Sequence, residues 1–510
     1  MRTTRLAATF ATAAALIATA GCSGGSKEAA GPADAGSLTF GTLNGALISF
    51  NPWLSPSGDN TGLMMNQMSY DALTHVEPDG EITPGLATSW KYTDPKTMTL
   101  KLRTDAKFDD GTPVDAAAVK ANFDYAKTAV PAGQRTPYIA ALTTTVVDKS
   151  TLKVVSAMPQ PDLPTDFATG GGFIVNPKAL KNPSSLKAKP SGSGPYTLTA
   201  STAGQRYDFT RRKDHWDLKQ YPYRALHLKN FSSLQAQENA LKTGQIQGAV
   251  GQPQQLESDR AAGLNVHLAK PTTIGGIWLN DRAGKVVPAL GKVKVRQALN
   301  YAIDREAIQK AVYHGIGQPG ALIVPKGLDG HSTAAEDTYS YDPAKAKKLL
   351  AEAGYPKGFT LPFLGTGADD RIGQAVAGYL RKVGVNMQIK AHSADYANEL
   401  RSGKWAATGF AWTMTPPAQA MGELLSPTGA GNFNRSTDPE IEKLLARTRT
   451  TAGAAQTKAM EELVEAVNDK AWFLIAGYNP NVYVTGKNVT CDIGQRTICP
   501  LYTFRPAEGR

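Results

Sequence analysis

Two hydrophobic periods alternate along this chain. Apolar and polar residues alternate with period two at residues 37–42, 98–103, 196–200 and 207–212, which predicts strands. Residues 146–155 read as two more strands around the turn 148–150. Recurrence every three to four residues predicts helices over 62–73, 116–127, 234–242, 342–353, 370–382, 440–447 and 456–468. One long helix is expected over 293–313, with Val295, Ala298, Leu299, Ala302, Ile303 and Ile308 on its apolar side. Asp115 and Asp342 stand as N-caps, and Gly244 and Gly354 as stops. Short apolar runs at 246–250, 385–389 and 472–476 read as buried strands. Strands that alternate with helices indicate α/β lobes.

One stretch stands apart. Residues 403–418 read as an apolar strand, 406–412, which packs a sheet, runs into a Thr/Met/Pro loop and is stopped by Pro416 and Pro417. An indole at such a strand end can line a cleft, and the backbone there can pair with an extended guest. A packed strand end fits the pattern equally well.

Length adds a bound. The chain has 510 residues, too many for one ordinary domain, so two or three are expected. The formal charge is +11, with Arg2 and Arg5 in the leader. The densest basic runs, 211–213 and 345–348, carry no interleaved aromatics, so no nucleic-acid partner is expected. Seven widely spaced histidines and the lack of HExxH or GxSxG give no sign of an enzyme, a metal site or a cofactor. The Gly-rich 191–196 is a turn before a strand, not a phosphate loop.

Residues 1–21 form a signal peptide: Arg2 and Arg5, then an Ala-rich apolar run. Thr19-Ala20-Gly21-Cys22 resembles a bacterial lipobox. It implies acylation of Cys22, a polar tether over 22–36 and an anchor on the outer face of a Gram-positive cell membrane. Cys491 and Cys499 are expected to pair in that oxidising compartment. The bridge closes a small loop and is worth about 2–3 kcal/mol.

Five blocks in order carry a wider resemblance: EITPGLATSW at 81–90, FDDGTPV at 108–114, GSGPY at 192–196, LKTGQIQG at 241–248 and VRQALNYAIDR at 295–305. Together they resemble the family 5 extracellular solute-binding proteins of ABC importers, the dipeptide, oligopeptide and nickel group. The resemblance implies a two-lobe α/β fold, the periplasmic-binding-protein-like Venus flytrap of type II, cluster C, with an extra subdomain in lobe I. It places lobe I at 37–60, 190–285 and 478–510, the extra subdomain at 61–189 and lobe II at 286–477. Hinges are expected near 281–286 and 478–481. Asp304 and Arg305 are expected to make structural pairs on the long helix. The implied partners are a permease, an ATPase and a small organic or peptide ligand. A monomer that does no covalent chemistry is expected.

The same resemblance brings three pieces to the cleft. They are the loop with Ala46 and Leu47, the strand with Trp278 and Asn280, and the stretch Trp412, Thr413, Met414 and Thr415. Asn434 is a further candidate. In peptide-binding members the third piece reads Trp-x-x-Asp-Tyr, and its Asp holds the peptide's amino terminus. Thr415 stands at that position here. A hydroxyl does not neutralise a buried ammonium. Either Glu423 or Asp59 replaces the carboxylate, or the ligand lacks a free amine. A modified peptide, an oligosaccharide or a metal complex is then an alternative, as is a surface sensor without transport.

Overall fold

The computed structural model describes residues 35–43, 49–54, 60–129, 139, 142–157, 159–168, 170–365, 370–391, 396–414, 416–494, 499 and 503–507. The signal peptide, Cys22, Ala46, Leu47, Asp59 and Thr415 lie outside the described residues.

Three sheets organise the chain. The first has seven strands, Ser37–Leu43, Tyr196–Thr202, Arg206–Arg211, Ala225–Phe231, Gly248–Val250, Asn265–Leu268 and Val482–Thr485. Ser37–Leu43 runs parallel to Ala225–Phe231 on one side and Gly248–Val250 on the other. The second sheet has five strands in the order Val385–Ala391, Phe359–Gly365, Ala407–Thr413, Thr273–Leu279, Phe473–Asn479. The third, an antiparallel sheet of four strands, falls within residues 87–156. The helix Ala116–Ala129 packs on it through Val119 and Phe123.

The second sheet is covered on both faces. Successive strand residues point to opposite sides. Ile277, Leu279, Leu474 and Ala476 join one apolar cluster with the helices Val293–Tyr301 and Arg371–Lys382. Ile274, Trp278, Phe473 and Ile475 join another with Pro417–Leu425 and Ala454–Asp469. Three layers result, which explains why these strands are apolar throughout.

Several expectations need correction. The expected long helix is two, Val293–Tyr301 and Arg305–Tyr313. Asp304 leaves helical geometry, and its side chain accepts the Ala307 N–H at 3.0 Å, so it caps the second helix. Among the described residues, Arg305 pairs with no carboxylate. Its buried guanidinium donates to the carbonyls of Asn300, Tyr339 and Ile475 and to Asn300 Oδ1. The strand ends at Thr413, and beyond it Pro417 opens a helix the sequence did not announce, Pro417–Leu425, where its missing N–H costs nothing. The strand Thr273–Leu279, expected in lobe I, pairs inside the second sheet with Ala407–Thr413 and Phe473–Asn479. The chain therefore crosses between sheets after Leu268 and returns after Asn479. Residues 281–286, expected as a hinge, form a turn beyond the far end of Thr273–Leu279. There Asp281 accepts the N–H groups of Lys285, Val286 and Val287 at 2.8, 2.8 and 2.6 Å. Among the described residues, no helix is long and apolar enough to cross a membrane.

Candidate ligand site at the crossover end of the second sheet

Where the chain changes sheets, three strand ends meet. Thr273 lies in register with Thr413 on one side and Asn479 on the other. The hydroxyls of Thr273 and Thr413 are 3.1 Å apart, and the Met414 N–H donates to the Thr272 carbonyl at 2.9 Å. The two crossing segments run side by side, tied by the Ala269 N–H to the Asn481 carbonyl at 2.9 Å. Paired crossings of this kind form a hinge when two lobes close on a ligand. Gly477 has φ +151°, and a Cβ there would come within 2.5 Å of the Gln318 carbonyl. Its absence lets Gln318 and Tyr478 exchange both backbone hydrogen bonds at 2.8 Å.

The candidate residues separate along this sheet. Trp412 and Thr413 are half-buried at the crossover end. The Trp412 ring sits 5.7 Å from Phe410, whose other face meets Phe433 at 5.2 Å. That supplies an apolar wall on one face of the strand end; Thr413, the next residue, turns its hydroxyl with that of Thr273 to the other face. Met414 is fully buried under the same cluster, so it supports the wall and is not a contact. Trp278 is 0% exposed, enclosed by Phe410 at 5.7 Å and Phe473 at 5.3 Å. Its indole N–H has no partner among the described residues. Trp278 is core, because it points into a covered face of the sheet, well away from the crossover end. Asn280 lies one residue past the far end of its strand, about 23 Å from Thr273 at about 3.3 Å per residue. Its amide donates to Thr408 Oγ1 at 3.1 Å. Asn434 lies with it, lining the same cavity. Neither belongs to the crossover end. Sequence reasoning missed Asn479 and Gln309, whose buried amide oxygens have no partner among the described residues. No pattern in the sequence marks them.

Comparison with known proteins decides the family. Residues 81–432 match the model of the bacterial extracellular solute-binding proteins, family 5 Middle. The chain belongs to family 5 of these solute-binding proteins. The glutathione-binding protein GsiB of Salmonella paratyphi A is 28% identical over 331 residues, 64% of this chain and 64% of that protein's length. The periplasmic binding protein DppA from Helicobacter pylori, in complex with the peptide STSA, superposes with a TM-score of 0.81 at 19% identity, over 92% of this chain and 98% of that one. AgaA from A. tumefaciens R10, in complex with agropinic acid, gives 0.79 at 25% identity, over 93% and 99%. The likeness to DppA shows the two-lobe α/β fold.

Two contacts of this solute-binding protein join parts that the crossings alone would leave free to move. Ile316 packs against Leu241, Ile246 and Val484, an apolar cluster of the first sheet. Asp162, beside the third sheet, meets the Gln456 side chain on a helix over the second. Burial raises the Asp162 carboxyl above its ordinary range, Gln456 offsets part of that, and Asp329 adds to it by repulsion. The contact therefore favours the protonated acid. Cys491 and Cys499 are buried, with their Sγ atoms 2.6 Å apart.

Proposed function

We propose that this solute-binding protein is the extracytoplasmic capture component of an ABC importer. The carrying observation is the paired crossing beside Thr273, Thr413 and the half-buried Trp412. Such a joint lets two lobes close on a solute, and a strand end with a half-buried indole on one face and two hydroxyls on the other suits a small organic guest. Lobe I takes the residues before the first crossing and after the second, and lobe II the residues between. The ligand biases an open–closed equilibrium by its better contacts with the closed form. A permease and an ATPase then receive and drive it. Acylated Cys22 holds the monomer at the membrane, and Cys491 bridges Cys499. The protein performs no covalent chemistry.

The ligand class follows from the donors and acceptors. Trp412, Thr413 and Met414 bring no carboxylate to the strand end. A peptide-like or other small organic solute fits if a free α-amine is not its anchor. The glutathione-binding relative and the agropinic acid complex of AgaA point to the same range of solutes.

Thermal-shift screening of di- to pentapeptides, glutathione, opine acids, oligosaccharides and metal chelates tests this, followed by calorimetry on the hits. A true ligand at 100 times its Kd adds about 2.7 kcal/mol of stability. The binding reading fails if no solute in any class stabilises the protein. Tight binding that requires an unmodified α-amine would overturn the restriction on peptides. Palmitate labelling of a Cys22→Ala protein would rule out the anchor.

A further inference from the structure

The far end of the second sheet holds a cavity of about 460 Å³ around Arg282 and Arg296. Both arginines are unusual in their partners. Arg296 is 4% exposed and, among the described residues, donates to the carbonyls of Leu290 and Lys470. Arg282 lies over the Trp472 ring at 4.1 Å and donates to the carbonyls of Leu279 and Trp472 and to Asn432 Oδ1. Its Nε is buried and has no partner among the described residues. Burial and the neighbouring Arg296 charge bring the Arg282 guanidinium down to about 9, which leaves it charged at neutral pH.

The carboxylates nearby are engaged elsewhere. Asp281 accepts three backbone N–H groups, and Asp438 is held by Lys470 at 2.8 Å. Lys285, Arg401 and Arg435 add positive charge to the lining. Arg435 is held at φ +54°, a left-handed backbone that few residues other than glycine adopt. The neighbouring Asn434 has a buried Oδ1 without a partner among the described residues; a half-turn of that amide offers Nδ2 as a donor. Asp438 also offsets part of the Arg296 charge, yet the Arg282 Nε–H keeps no acceptor among the described residues, and an anion would supply one. That N–H suits a phosphate oxygen, and a lining of five cations against two engaged carboxylates favours a dianion. The volume exceeds what a lone phosphate fills, so a small polar body fits beside it.

We propose that this cavity is a second binding site, for phosphate or a small phosphomonoester. The half-buried Arg282 and the buried Arg296 are its inner charges, and Arg435 with Asn434 forms its rim. It is separate from the crossover end, so its fate is independent of the transport reading.

Calorimetry and thermal shift on the whole chain test it at fixed ionic strength, with inorganic phosphate and glycerol phosphate against matched chloride. A saturable rise in Tm is expected with at least one of them. Preference for the ester identifies a phosphomonoester as the natural guest; preference for the free ion identifies phosphate. Arg435→Gln, at the exposed rim, should weaken binding about tenfold without changing the Tm of the free protein. Arg282→Lys keeps the charge, loses the fork and should weaken binding further. Two results would overturn the site: no saturable response beyond chloride, or a response that Arg435→Gln leaves unchanged. Because Arg435 is exposed, the test does not depend on Arg282→Lys folding.

Discussion

The two ends of the second sheet are made by the same strands and differ in chemistry. At the crossover end, Thr273 and Thr413 offer neutral hydroxyls on the face opposite the half-buried Trp412. At the far end, Arg282 and Arg296 bring positive charge that backbone carbonyls and already engaged carboxylates only partly match. Between them the strand TIGGIWL carries only apolar residues and Gly after its first Thr, and Trp278 fills the core toward its far end. The sheet is therefore a spacer. What each end can bind is set by the residues just outside the strands, where the chain is released from pairing.

Four outcomes would break or sharpen that contrast. Trp278→Ala removes the ring buried beneath the sheet and should cost about 3–5 kcal/mol of stability in urea unfolding. Trp278→Leu should cost clearly less, since its larger side chain leaves a smaller cavity while both changes remove the unpartnered N–H. If Trp278→Ala leaves stability intact and abolishes ligand binding, the indole belongs to the cleft wall after all. Trp412→Ala acts at one end only. Calorimetry should show at least a tenfold loss of solute affinity, about 1.4 kcal/mol, with the phosphate response unchanged. Equal losses at both sites would mean that the ends are not independent.

Thr413→Val breaks the hydroxyl pair with Thr273 and should lower stability by about 0.5–1.5 kcal/mol, read by denaturant midpoint. The smallest effect concerns closure. The Asp162 carboxyl is raised by burial where it meets Gln456, so the closed form binds its proton more tightly than an open form in which water reaches it. That gain is fully present below the ordinary carboxyl range and is lost as pH rises through the raised value. Solute affinity should therefore strengthen modestly as pH falls through that window, and Asp162→Asn should flatten the dependence. An unchanged slope in that variant would remove Asp162 from the closure contact.

Sequence patterns located elements better than they located faces. The caps at Asp115 and Asp342 stand in the structure, each accepting an N–H three residues on. Trp412 and Thr413 were legible as a strand end because the strand stops there, at Thr413. Trp278 and Met414 were not legible as core. An apolar strand covered on both faces has no alternation from which to read a side. Asn280 misleads for a related reason: a strand named as lining a site does not say which of its two ends lines it. The break at Asp304 was hidden because the apolar spacing continues through Ala302 and Ile303, both fully enclosed. Local capping overrides such a pattern. Arg282 was invisible because nothing in a sequence shows which arginine lacks a carboxylate.

The late return of the chain has a further consequence. Val482–Thr485 sits inside the first sheet, between Gly248–Val250 and Asn265–Leu268, and pairs with both. All the other strands of that sheet precede residue 269. A chain that emerges from its amino terminus therefore carries an unfilled gap through more than two hundred residues of synthesis, with two strand edges waiting. Every strand of the second sheet precedes Val482, so that sheet can be complete while the first is still open. A protein cut short before Val482 would keep the Arg282 cavity and lose the sheet that the cleft closes against.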